Sequence, residues 1–291
     1  MARYLNFNDI ARGNVPEKHH FQQAATEIRL KLAEMLSGDL ISFGVIYGSV
    51  ARGDSSRRSD VDLFVIASKG RRVEAIVEIG KVAGDILDKY NIEIDPYVPC
   101  REICVSRVNA ISPGYWNHIC LFKGDFIGEF PGYLIIVDTV EEDVRRWITR
   151  KIMSIQKYIG NPRYLLEPVE NNSDFLEALG KANDVFSYGA RKIGSLIQEN
   201  MGLADDYSVQ SKDLFKEFSE DLYKMIDTAH QLSREYSDYL DELLAKNMLS
   251  KEDRGDYRNY LLNRYVVLLP LAMDFLIKTA QHLWPTPIHD G

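Results

Sequence analysis

Residues 48–66 read Gly48-Ser49-Val50-Ala51-Arg52-Gly53-Asp54-Ser55-Ser56-Arg57-Arg58-Ser59-Asp60-Val61-Asp62-Leu63-Phe64-Val65-Ile66, and the reading of this stretch decides the fold. Immediately before it, Leu40 to Tyr47 is an apolar run that ends on a glycine, the pattern of a buried strand entering a tight turn. After the turn, Val61, Leu63 and Val65 alternate with Asp60, Asp62 and Phe64, which is the period of a strand. Asp60 and Asp62 are therefore expected on one face, roughly 6.5–7 Å apart along the backbone. Two carboxylates so placed can converge on a hard cation, and magnesium takes one or two such ligands and fills its remaining positions with water and phosphate. A glycine and a serine opening a short helix supply close backbone approach, exposed N–H groups and a hydroxyl, which is what a phosphate needs. A Gly-Ser pair alone is an ordinary turn, and Asp60 alone could cap a loop. Neither reading explains Asp62, because a carboxylate inside an apolar strand is costly unless paired or metal-bound.

Gly48-Ser49 followed by Asp60-Val61-Asp62 resembles the signature of the polymerase-beta-type nucleotidyltransferase superfamily. Ala51-Arg52-Gly53, with Ser59 directly before the first aspartate, is similar to its small bacterial branch, the aminoglycoside nucleotidyltransferases and the minimal nucleotidyltransferases. The resemblance implies an α+β core, a mixed sheet flanked by helices, over residues 1–138, followed by an all-α helical bundle over 139–291. It also implies a third carboxylate on a later strand. In Asn91-Ile92-Glu93-Ile94-Asp95-Pro96-Tyr97, Glu93 and Asp95 are expected to point the same way. Family spacing favours Glu93, with Asp95 as the alternative. The implied catalytic and metal set is Asp60, Asp62 and Glu93 around two Mg2+ ions. Gly48, Ser49, Arg52 and Arg58 are the expected contacts of the nucleotide, with ATP as the expected substrate.

The remaining chain adds a frame. At 291 residues with 45% apolar content, two ordinary domains with real cores fit. A net charge of −8 argues against a nucleic-acid partner and against a polynucleotide polymerase. Cys100, Cys104 and Cys120 are an odd count without a second ligand pair for zinc, which fits a reducing, cytoplasmic setting. The first residues lack a signal-peptide pattern. Leu261 to Ala280, interrupted by Arg264, Pro270, Asp274 and Lys278, reads as a buried helix and not as a membrane span.

Helices are expected from Pro16 to Gly38 and from Arg71 to Tyr90, the latter with one broad apolar face through Val73, Ile76, Val77, Gly80, Val82, Ala83, Ile86 and Leu87. A short helix is expected over 113–124 and a last strand over Tyr133 to Val137. His118 is a candidate site residue on the reactivity of imidazole; Tyr47, Tyr115 and Trp116 are expected in core packing. Beyond Val140 the pattern is helical throughout, with segments expected from 141, 174, 212 and 251 and a kink at Pro270. Some bundles beside minimal nucleotidyltransferases are ribonucleases with an arginine followed by a histidine. His230, His282 and His289 do not follow arginine at that spacing, which leaves substrate binding or homodimer formation as the bundle's expected task.

The expected activity is transfer of a nucleoside monophosphate from a nucleoside triphosphate to a hydroxyl of a small-molecule acceptor. The acid-rich run from Ser219 to Glu242 would suit a cationic one such as an aminoglycoside. The alternatives are protein nucleotidylation in a regulatory or toxin–antitoxin setting, and a non-catalytic nucleotide-binding module.

Overall fold

The computed structural model describes residues 3–100, 116, 119–120, 126–129, 139–159, 168–201, 211–246 and 248–285. They form two units, one of Asn14–Val140 and one of Met1–Gly13 with Glu141–Gly291.

In the first unit, α2 (Lys18–Ser37) leads into β1 (Ile41–Tyr47), the short α3 (Gly48–Arg52), β2 (Val61–Ala67), α4 (Arg72–Tyr90), β3 (Ile94–Tyr97) and the two-residue β4 (Ile127–Gly128). The sheet order is β3-β2-β1-β4, with β1 antiparallel to β2 and β4, and β2 parallel to β3. The sheet is thus mixed. Its parallel pair is connected through α4, as a parallel connection requires. Glu17 caps α2 reciprocally with His20, whose Nδ1 accepts the Glu17 N–H at 3.0 Å, and Gly38 ends the helix.

Alternation sorts the two central strands between two cores. Val61, Leu63, Val65 and Ala67 pack with Ile28 and Leu32 of α2 and with Ala75, Ile79 and Ile86 of α4. Phe64 and Ile66 turn to the other face and join Phe43, Val45 and Tyr47, with Trp116 edge-on to Phe64. Asp62, even-numbered like Phe64, belongs to that second face. The broad apolar face expected of α4 is divided. Ala75, Ile79 and Ile86 are buried, whereas Val73, Ile76, Val77 and Leu87 lie exposed on its outer side.

The second unit is mostly helical: α1 (Phe7–Ala11), α5 (Val140–Ile159), a 3-10 turn at Val169–Asn171, α6 (Ser173–Asp184), α7 (Ala190–Asn200), α8 (Ser211–Phe218), α9 (Glu220–Leu244) and α10 (Lys251–Leu283). The helix expected from 174 to 199 contains a π-helical turn at Val185–Gly189 that separates α6 from α7. Pro270 sits inside α10. Among the described residues α10 is the helix long and apolar enough to cross a membrane, with 44% of that stretch buried inside the chain. It contributes Tyr257, Leu261, Leu268, Leu269 and Phe275 to the interior.

A division at residue 138 is crossed by the chain's beginning. The Leu5 N–H donates to Tyr236 Oη at 2.8 Å, Tyr257 Oη donates to the Leu5 carbonyl at 2.6 Å, and the two hydroxyls lie 2.9 Å apart. The segment up to Gly13 therefore belongs with the helices and not with the sheet. The stretch 113–115, His118 and the strand expected at 133–137 lie outside the described residues.

Candidate functional site

β1 and β2 are joined by the turn that the sequence singles out. The chain leaves β1 at Tyr47, opposite Asp62 in the antiparallel register, and enters α3 through Gly48 at φ +78°. Here only glycine fits. A Cβ on Gly48 would stand 1.8 Å from Asp62 Oδ2 and 2.8 Å from its Cγ. Backbone and carboxylate are in direct apposition, so the Gly-Ser turn and Asp62 form one site.

The loop back to β2 is held by its own serines. The Ser59 N–H donates to the Ser56 carbonyl at 2.9 Å, and the Ser56 N–H donates to Ser59 Oγ at 2.9 Å. This closed turn delivers Asp60, buried at 8% exposure, to the end of β2. Ser59 stands out in the sequence through the family resemblance, whereas its pairing with Ser56 shows there only as two serines three residues apart, a common loop pattern.

Of the two candidates for a third carboxylate, Asp95 is the one that stands with Asp60 and Asp62. Parallel pairing of β2 and β3 sets Asp62 beside Asp95, and one oxygen each of Asp60, Asp62 and Asp95 lie within 4.8 Å of one another. Glu93, preferred by family spacing, falls before β3. Its carbonyl accepts the Val61 N–H at 2.9 Å, and its side chain does not join the group. Alternation could not choose between residues two apart; the cross-strand register does.

Carboxylates held this close repel one another. Burial pushes the Asp62 carboxyl up to about 7, the charges of Asp60 and Asp95 push in the same direction, and Arg52 offsets part of this. The donor set suits a hard divalent cation. All its ligands are carboxylate oxygens, and their mutual spacing fits about twice a cation–oxygen distance of about 2.0–2.6 Å. Among the described residues this is the group of three or more His, Cys, Asp or Glu side chains able to hold a metal. Cys100 and Cys120 are in no disulfide, and Cys104 lies outside the described residues.

Of the expected nucleotide contacts, Gly48 and Ser49 open α3 beside Asp62. Arg52 closes α3 and pairs through Nε with Asp54 at 3.0 Å, half-exposed. Arg58 is buried at 5% exposure within the serine-closed loop, and its N–H donates to Ser56 Oγ at 3.3 Å. Its place is in the loop that carries Asp60. Tyr47 and Trp116 belong to core packing, as expected.

Comparison with known proteins agrees with this geometry. The family described as "Polymerase beta, Nucleotidyltransferase" matches residues 31–98, the span from α2 to just past β3. A protein of Methanocaldococcus jannaschii named "Putative protein adenylyltransferase" is 31% identical over 115 residues, covering 38% of this chain and 68% of that relative.

Proposed function

Because the chain belongs to the polymerase-beta nucleotidyltransferase family, we propose that it transfers a nucleoside monophosphate, AMP from ATP, to a hydroxyl acceptor with the help of Mg2+. One observation carries this reading. Three carboxylate oxygens lie within 4.8 Å of one another, against a Gly-Ser turn whose glycine leaves no room for a side chain beside Asp62.

In this reading the acceptor oxygen attacks the α-phosphorus in line, the bond from that phosphorus to the β-bridging oxygen breaks, and pyrophosphate leaves. Gly48 and Ser49 bind the β- and γ-phosphates through backbone N–H groups and the serine hydroxyl. Arg52, at the end of the same short helix, faces the charge that builds on the leaving group. Asp60, Asp62 and Asp95 would hold the magnesium, which supplies neutralisation of triphosphate charge and a template for the displacement. Asp95 is the exposed member of the three, the one open to an incoming hydroxyl, and can take its proton.

Two acceptor classes follow. The acids of 219–242 would suit a cationic small molecule, but four of them already hold cations of their own unit. Glu220 pairs with Lys224 at 2.9 Å, Asp221 with Lys278 at 3.5 Å, Asp227 with Lys212 at 2.5 Å and Glu235 with Arg264 at 2.5 Å. The name of the archaeal relative favours the second class, a hydroxyl of a protein side chain.

Incubation with α-labelled ATP and magnesium tests the proposal, offering a cell lysate in one arm and small hydroxyl compounds, aminoglycosides included, in the other. Wild type is expected to release pyrophosphate and leave label on protein, and Asp62→Asn to lose both by about 1,000-fold, the several kcal/mol a metal site supplies. Equal labelling by the two proteins, or magnesium-independent ATP binding without pyrophosphate release, defeats it. Label on the small compounds alone moves the acceptor to that class.

A further inference from the structure

The second face of the sheet is core on β1 and β2 and opens on β3. Phe43, Val45, Tyr47, Phe64 and Ile66 are buried there, whereas Asp95 and Tyr97 are exposed, Tyr97 at 40%. The parallel register pairs Asp62 with Asp95 and Phe64 with Tyr97, so a pair of rings follows the pair of acids along the same two strands. Asp95 and Tyr97 stand on one side of β3, roughly 6.5–7 Å apart along it.

Packing fixes the ring of Tyr97. Its centroid lies 5.8 Å from that of Phe64 at an interplanar angle of 32°, and Phe64, fully buried, is edge-on to both Phe43 and Trp116. Pro96, between acid and ring, locks one backbone angle of β3 and sits on an outer strand of the sheet, where proline is tolerated. The result is a rigid aromatic surface with one part against the core and one part in solvent.

Sheet order says which substrate this surface meets. Because β2 lies between β1 and β3, the Gly-Ser turn at the end of β1 and Asp95 on β3 stand on opposite sides of Asp62. In an in-line displacement the leaving and attacking oxygens lie on opposite sides of the phosphorus. With pyrophosphate at the Gly-Ser turn, the attacking hydroxyl comes from the β3 side to Asp95, and the next side chain on that face of β3 is Tyr97. We propose, resting on the nucleotidyl transfer inferred for this site, that Tyr97 is its acceptor-specificity residue. The exposed ring seats a flat carbon face of the acceptor, the ring of a sugar or of an aromatic side chain. Beside that face the acceptor hydroxyl gives its proton to Asp95 while its oxygen bonds the α-phosphorus and pyrophosphate departs.

The test follows transfer from α-labelled ATP with magnesium over a dilution series of lysate protein in one arm and of aminoglycosides in the other. Tyr97→Ala is expected to lower transfer by about tenfold at dilute acceptor and to recover as the acceptor is raised, the mark of lost acceptor binding. Tyr97→Phe, which keeps the ring, stays within about threefold of wild type, and Tyr97→Leu, apolar but not flat, falls with the alanine. Affinity for α,β-methylene-ATP with magnesium, read by calorimetry, holds within about threefold in all three variants. Label in the aminoglycoside arm identifies the seated face as a sugar ring, and label in the lysate arm as a side-chain ring. A nucleotide affinity that falls as far as transfer in Tyr97→Ala assigns the ring to the base and overturns the proposal. Magnesium-dependent transfer that is lost in Asp62→Asn but indifferent to Tyr97→Ala overturns the acceptor role alone, whereas a wild type that transfers no label in either arm defeats the activity itself.

Discussion

Gly48 and the pair Gly80 and Gly84 lie in the same unit and answer the same substitution in opposite ways. At Gly48 a Cβ would fall 1.8 Å from the Asp62 carboxylate, at a φ of +78°; at Gly80 and Gly84 it would meet nothing within 4 Å, in ordinary helix. The first glycine is fixed by what lies inside the fold, a backbone pressed against the acid of the candidate site. At the other two, a Cβ would meet nothing inside the fold. Composition treats the three alike, and only their surroundings separate the candidate site from an open helix surface.

The largest effect that tests this contrast is Gly48→Ala. The new methyl must displace the Asp62 carboxylate by more than 1 Å and shift the phosphate turn with it. Since a misplacement of about 1 Å can cost about 100-fold, nucleotidyl transfer is expected to fall by at least about 100-fold. The left-handed backbone adds roughly 1–2 kcal/mol of destabilisation. Gly84→Ala, measured beside it by thermal melting, is expected to raise the stability of the isolated chain by up to about 1 kcal/mol. If the two alanines behave alike, the contrast is wrong.

Much of this was legible along the chain because it is local. The alternation of Val61, Leu63 and Val65 with Asp60 and Asp62 is a property of neighbouring residues, and the two cores divide as that alternation requires. The Gly-Ser turn was legible for the same reason. What was not legible depends on partners distant in sequence. α4 is apolar on two sides, so periodicity alone could not say which side the sheet would claim; Ala75, Ile79 and Ile86 met it, and Val73, Val77 and Leu87 did not. The attachment of Leu5 to Tyr236 and Tyr257 spans more than two hundred residues and leaves no local trace.

The third carboxylate shows the same limit inside the site. Glu93 and Asp95 differ by one full strand period, so face could not choose between them, and the choice rests on the pairing of Asp62 with Asp95. Activity should follow that register. Asp95→Asn is expected to reduce transfer by about 100-fold, the order of a lost contribution to a metal site, and Glu93→Gln to stay within about threefold of wild type, as for an exposed side chain away from the reacting groups. Pyrophosphate release at saturating magnesium measures both, and the reverse ranking would return the role to Glu93.

The last effect is on stability, and it has a sign that a merely structural aspartate would not give. Burial first, then the charges of Asp60 and Asp95, hold the Asp62 carboxyl up to about 7 in the folded chain, against about 3.9 in an unfolded one. A raised folded value means that the folded state binds the proton more tightly. The stabilising contribution is therefore fully present below about pH 3.9 and is lost as pH rises through about 7. In chelator, wild type should lose roughly 4 kcal/mol from this group between acid and pH 8. Asp62→Asn cannot ionise and loses none of it, so at pH 8 the inactive variant is expected to be the more stable protein. Magnesium should invert that order, because a ligand that binds the folded wild type and not the variant stabilises only the former. Chemical denaturation at pH 5 and pH 8, with and without magnesium, reads all four states. Parallel pH profiles for the two proteins would mean that Asp62 does not carry the repulsion that the three carboxylates impose. A crossing that appears only on removal of the metal would tie the cost of assembling those acids to the cation they are arranged to receive.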